Sequence, residues 1–141
     1  MENHNDRKSD FEILNQYIKD LSFESPSSPR IFFEKAEGAP KVDLNMEVRP
    51  VKIGDELYDI ALHFKIASSL ADKPLFVIEL VYGAVAAVHI TDEAALKSAL
   101  TKSIPQQMYP FIRSIVAEIT KDSGFSPFIL NPINFDTIEL K

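Results

Sequence analysis

The clearest signal along the chain is a two-residue alternation of apolar and polar positions. In "KVDLNMEV", Val42, Leu44, Met46 and Val48 alternate with Asp43, Asn45 and Glu47, the period of a strand with one buried and one wet face. "ELYDIALHFKIASSL" repeats it, with Tyr58, Ile60, Leu62, Phe64 and Ile66 on one side and Asp59, Ala61, His63, Lys65 and Ala67 on the other. The segment "QYIKDLSFE", residues 16–24, reads as an earlier strand of mixed polarity that ends at the serine and proline turn "SPSSP". "RPVKIGDE" and "SSLADKP" are too short to carry a crossover between parallel neighbours. They predict an antiparallel meander, with one strand in 16–24 and three between 42 and 90.

The fourth strand has a different pattern. Phe76, Ile78, Leu80 and Tyr82 share one face, but Leu75, Val77, Val81 and Val85 surround Glu79 on the other. A strand apolar on both sides fits a central position whose second face meets a helix or another subunit.

From residue 91 the period lengthens to 3.6. Thr91, Asp92 and Glu93 offer a cap for a short helix, and Met108, Phe111, Ile112, Ile115, Val116 and Ile119 then form one stripe of a long helix. Pro110 is expected in its first turn and Gly124 at its C-terminal stop. Asn134 is placed to cap a short last helix. The fold expected is α+β: a four-stranded antiparallel sheet, a long helix and a short C-terminal helix. Residues 1–10 are read as a disordered tail before a single domain over 11–141.

Composition narrows the chemistry. The chain has 141 residues, 45% of them hydrophobic, and lacks cysteine, which removes disulfides, thiolate nucleophiles and thiolate metal sites. The polar start "MENHNDRKSD" precedes no apolar run of signal or membrane-span length, and Glu79 and His89 interrupt the most apolar window. With 15 basic and 21 acidic residues the net charge is −6, a surface that repels phosphate backbones and attracts basic partners.

No catalytic constellation emerges. His4, His63 and His89 match no compact metal-ligand spacing, and four glycines at 38, 54, 83 and 124 form no phosphate-cradling loop. Asp20 and Glu24, four residues apart on a strand, are separated by roughly 13 Å, too far for a sugar-hydrolase pair. They read as fixed surface charge. Arg113 and Glu118 lie off the helix stripe and fit solvent exposure or a subunit contact.

Ten phenylalanines and four tyrosines, with no tryptophan, are the remaining feature. Many lie near turns and element ends, Phe23, Phe32, Phe33, Phe125, Phe128 and Phe135 among them. Core packing accommodates them. So does a groove for a partner's apolar side chains, where a nearby sheet edge adds backbone hydrogen bonds with little dependence on sequence.

"QYIKDLSFESPSSPRIF" resembles the opening strand and loop of the SecB preprotein-export chaperones, and "YPFIRSIVAEITKDSGFSPFILNPINF" is similar to that family's long helix, the following loop and the start of its last helix. The resemblance runs in order from about Phe11 to Leu140. It implies a homotetramer, a dimer of dimers, that acts in the cytoplasm as a nucleotide-independent holding chaperone. Such a protein is no enzyme and needs no cofactor. It keeps secretory preproteins unfolded and delivers them to the SecA motor, with no role for nucleic acid or membrane insertion. Carried over residue by residue, the resemblance places SecA docking on Asp20, Glu24, Val77 and Glu79, and a client-binding groove on Phe23, Ile31, Phe32, Tyr82, Phe125 and Phe128. Val81 and Tyr82 stand where members often have glutamines, and many members continue with a polar tail beyond the point where "FDTIELK" ends. A scaffold protein recognising one folded partner is the alternative reading.

Overall fold

A computed structural model describes residues 10–137 of the chain. The expected N-terminal tail, apart from Asp10, lies outside the described residues, as do residues 138–141. Four strands, β1 (Phe11–Glu24), β2 (Lys41–Gly54), β3 (Leu57–Leu70) and β4 (Lys73–Val88), form one antiparallel sheet. Helices α1 (Glu93–Ser98) and α2 (Ile104–Asp122) follow, and the short C-terminal helix is, among the described residues, the 3-10 turn Phe135–Thr137.

Strand order corrects the expected meander. The sheet runs β1-β4-β3-β2, so only β2, β3 and β4 are joined by hairpins. Residues 25–40 carry the chain from β1 across to the far edge, the Greek-key return. The β3–β4 hairpin turns on Ala71 and Asp72, whose φ values of 51° and 64° match the twist-compatible two-residue turn. β1 begins at Phe11 rather than at residue 16, and β2 continues through Pro50 to Gly54. Pro50 is tolerated there because β2 is an edge strand.

One face of the sheet holds the core. Ile60, Leu62, Phe64 and Ile66 of β3 and Phe76, Ile78, Leu80 and Tyr82 of β4 are buried against Ile104, Met108, Ile112 and Val116 of α2. Among the described residues no helix covers the other face. Val77, Val81 and Val85 are half-buried there beside exposed Glu79, so the second apolar row of β4 lies in an open sheet surface.

Asp92 caps α1 by accepting a hydrogen bond from the Ala95 amide at 2.9 Å, as its position suggests. A five-residue π-helical segment, Ala99–Ser103, joins α1 to α2. This widened turn immediately precedes Pro105, which has no N–H to give the carbonyl of Thr101. Because α2 starts at Ile104, the proline in its first turn is Pro105, and Pro110 lies inside the helix, contrary to expectation. Gly124, with φ +95°, follows the end of α2 as expected.

The chain then folds back along α2. Tyr109 Oη donates to the Asn131 carbonyl at 2.5 Å and Arg113 Nε to the Leu130 carbonyl at 3.0 Å. Asn134 Oδ1 accepts from the Asp136 amide at 2.9 Å, starting the final turn and seating the buried Phe135 against Tyr109.

Candidate functional site: an aromatic cluster and an acidic corner

Five phenylalanines from four segments meet at one end of the sheet. Phe23 ends β1, Phe76 starts β4, Phe32 comes from the β1–β2 connection, and Phe125 and Phe128 follow α2. Phe125 is central, with ring centroids 5.2 Å from Phe32, 5.4 Å from Phe76 and 6.3 Å from Phe23. Phe76 also stacks on Phe23 at 5.7 Å and meets Phe128 edge-on at 6.1 Å. Offset and tilted rings at these separations attract one another beyond area burial. Phe32 remains 50% exposed and Phe33 beside it 75%, so the cluster reaches solvent.

Local chemistry fixes each contributor. Gly124 is required by its positive φ, and a Cβ there would stand 2.9 Å from Phe32 Cζ. The Phe32 ring therefore rests on bare backbone at the end of α2. The buried Thr120 hydroxyl donates toward the Val116 carbonyl and accepts from the Phe128 amide, both at 2.8 Å. Ser25 hydrogen bonds to Ser28 and to the Leu75 carbonyl, while Lys73 holds Glu34 at 3.1 Å, securing the connection that carries Ile31 and Phe32.

Of the six groove candidates, Phe23, Phe32, Phe125 and Phe128 share the cluster, and Ile31 packs half-buried against the core. Tyr82 stands apart from them. It lies mid-strand on the helix side, only 5% exposed, and its hydroxyl reaches Gln16 Oε1 at 3.2 Å. Burial raises its pKa. Its alternation with Phe76, Ile78 and Leu80 already puts it on the buried face. Phe76 was absent from the candidates because the same alternation marks it as ordinary sheet core, yet it supports three of the other rings.

The four docking candidates converge on the opposite, open face of the same strands. Cross-strand register pairs Glu24 with Val77, Ser22 with Glu79 and Asp20 with Val81, which brings all four to one corner. Asp20, Glu24 and Glu79 are exposed and Val77 is half-buried. Lys65 of β3 approaches Glu79 at 3.9 Å, an exposed ion pair of small energetic weight. A shallow depression of about 470 Å³ continues from Asp20 and Glu79 across Val81 toward His63 and Glu47. Burial, reinforced by the Arg49 charge, holds the His63 pKa below its ordinary value despite the opposing pull of Glu47.

The positions of Phe23 and Glu24 give the arrangement its economy. As successive residues of one strand they point to opposite faces, so the aromatic cluster and the acidic corner sit back to back on the ends of β1 and β4. Among the described residues no three histidine or acidic side chains converge as a metal site, and no helix is long and apolar enough to cross a membrane.

Residues 4–139 match the family described as preprotein translocase subunit SecB. A protein-export protein SecB of Rhodospirillum rubrum is 42% identical over 123 residues, covering 87% of this chain and 76% of that protein. The Bartonella bacilliformis SecB is 35% identical, covering 96% and 85%. Among solved structures, a SecB-like chaperone of Mycobacterium tuberculosis, in complex with a ChAD peptide from an antitoxin, superposes with a TM-score of 0.71 at 15% identity, covering 87% of this chain and 90% of that one. The chain belongs to the SecB family of protein-export chaperones.

Proposed function

We propose that this protein is a cytoplasmic holding chaperone that keeps secretory preproteins unfolded without nucleotide and hands them to SecA. The observation that carries this reading is the solvent-reaching cluster of Phe23, Phe32, Phe76, Phe125 and Phe128. Phenylalanine presents large apolar area with only two torsions to order, a surface suited to many client sequences. Burying about 1,000 Å² of client apolar area would contribute roughly 25 kcal/mol, most of it offset by ordering a flexible chain. The net attraction is weak enough to release, and repeating it over several subunits raises the effective concentration.

The protein acts as a tetramer, a dimer of dimers. Apolar side chains remain exposed on β1 (Leu14, Ile18), β2 (Leu44) and α2 (Phe111), which supports further packing. Asp20, Glu24, Val77 and Glu79 form the surface for a basic region of SecA, on the reverse of the strands that carry the client rings.

An unfolded secretory precursor diluted from denaturant without nucleotide tests the holding activity. Light scattering should fall as chaperone is added up to one tetramer per client. Identical aggregation curves with and without the protein at every ratio would reject it.

A further inference from the structure

We propose that the docking surface is bipolar: beyond the acidic corner, Arg49 and His63 form a second subsite that takes a carboxylate of the same SecA segment. The proposal deepens the docking role given above to that corner and rests on it.

Cross-strand register lays Asp20 of β1, Val81 of β4, His63 of β3 and Glu47 of β2 in one row on the open face. Arg49 stands two residues beyond Glu47 on the same face of β2, and both line the depression of about 470 Å³ that also holds Asp20, Glu79 and His63. An extended segment crossing the strands meets both ends. Neighbouring strands lie about 4.8 Å apart, which places His63 about 10 Å and the β2 residues about 14 Å from Asp20. At about 3.3 Å per residue, a cation and an anion three or four positions apart on the partner span that gap.

Charge changes sign along the row. The corner carries exposed Asp20, Glu24 and Glu79, with Lys65 at 3.9 Å from Glu79 as the opposing cation. Around His63 the balance is reversed. Burial is the largest cause of its lowered pKa, but of the charges acting on it Arg49 from β2 and Lys19 from β1 lower it and Glu47 alone raises it. Asp20, Glu79 and Lys65, the other charged groups around the ring, belong to the corner. The ring is thus largely uncharged at neutral pH and sits in positive potential. Arg49 is half exposed, and its Nη2 donates to Glu47 Oε2 at 2.7 Å, using one of five guanidinium donors. An exposed pair of this kind has small energetic weight, so a partner carboxylate can share the guanidinium beside the imidazole N–H.

SecA binding to the full-length protein separates a bipolar surface from a purely acidic one by sign. If the partner brought only cations, removing the Arg49 cation would tighten binding. Arg49→Gln should instead weaken it about fivefold, and Arg49→Lys should recover most of the loss. Between pH 7.5 and 5.5 wild type should gain about threefold in affinity over His63→Gln, as His63 takes a proton beside the carboxylate; groups on SecA titrate equally in both pairings. By linkage, the His63 ring titration followed by NMR should move upward when SecA is bound. Asp20→Lys with Glu79→Lys is the control for the docking reading itself. Unchanged SecA affinity in that variant removes the docking reading and this inference with it. When the control weakens binding, equal or tighter binding by Arg49→Gln overturns the inference alone, as does a downward shift of the His63 titration in the complex. Equal losses in Arg49→Gln and Arg49→Lys overturn it too, because the subsite acts through charge.

Discussion

Replacing Thr120 by valine keeps the side-chain shape and removes one hydroxyl, which isolates the bond that seats the aromatic loop on α2. That hydroxyl is fully buried; it donates to the carbonyls of Val116 and Ala117 at 2.8 and 3.0 Å and accepts from the Phe128 amide at 2.8 Å. In valine the two carbonyls keep their helix partners, but the Phe128 N–H loses its only acceptor in this set of contacts. Leaving such a donor without a partner costs about 1–3 kcal/mol. Thr120→Ser keeps the hydroxyl and deletes one buried methyl, worth about 0.8 kcal/mol plus a small cavity contribution. Thr120→Val should therefore be the more damaging change, by about 1 kcal/mol, although it is the more hydrophobic. Urea unfolding at one fixed protein concentration measures the difference, since coupled assembly would otherwise shift the midpoint. Hydrogen exchange at the Phe128 amide should accelerate in valine and stay protected in serine. A valine variant as stable as the serine variant, with the amide still protected, would refute the reasoning.

Other outcomes follow from single features. Lys65→Gln should tighten SecA binding about twofold by freeing Glu79 from its 3.9 Å partner, and Asp20→Lys should weaken it, both effects shrinking as salt rises; equal affinities in titrations at low salt would argue against the acidic corner. Ala71→Gly should raise stability by about 0.5–1 kcal/mol in chemical denaturation, because alanine is strained at φ 51°. The Tyr17 pKa is pushed up to about 12, first by its hydrogen bond to Asp59, then by burial and the Asp59 charge. Its folded pKa exceeds the unfolded value near 10, so its contribution to stability is complete below about pH 10 and is lost as pH rises toward 12. Absorbance titration should show a tyrosine ionising near pH 12 that disappears in Tyr17→Phe.

Where the apolar period is regular, the fold is legible in the sequence. Ile60 to Ile66 and Phe76 to Tyr82 alternate without interruption and are the strands whose buried faces form the core. β1 was seen only in part because extra residues at Leu14 and Lys19 throw Phe11, Ile13, Ile18, Leu21 and Phe23 out of step with one another. Its placement beside β4 was hidden for another reason. Short hairpins specify neighbours only within β2–β4, whereas residues 25–40 are long enough to cross the sheet. Pro50 lies in "RPVKIGDE", read as a connection, but β2 runs on through it because a proline is tolerated on an edge strand. The helix start moved because Pro105, rather than Pro110, sits in the first turn, and the π-helical segment before it has no sequence period of its own.

The site was legible in the same uneven way. Asp20, Glu24, Val77 and Glu79 come together only because of the register that the Lys19 bulge sets, which spacing along one strand does not reveal. Phe125 and Phe128 could be singled out by resemblance, but their meeting with Phe76 depends on the return of the chain across α2 through Thr120. Tyr82 follows the face of its strand neighbours into the core, so it does not join the surface cluster of the protomer.

Calorimetric titration of an unfolded secretory precursor, into the wild-type protein and Phe32→Ser, tests the central claim most directly. Phe32 is half exposed at the mouth of the cluster, so its loss should leave the fold intact. Wild type should bind without nucleotide and with a negative heat-capacity change, and the variant about fivefold or more weakly. Equal affinity in both proteins, or no binding by the wild type, would contradict the account.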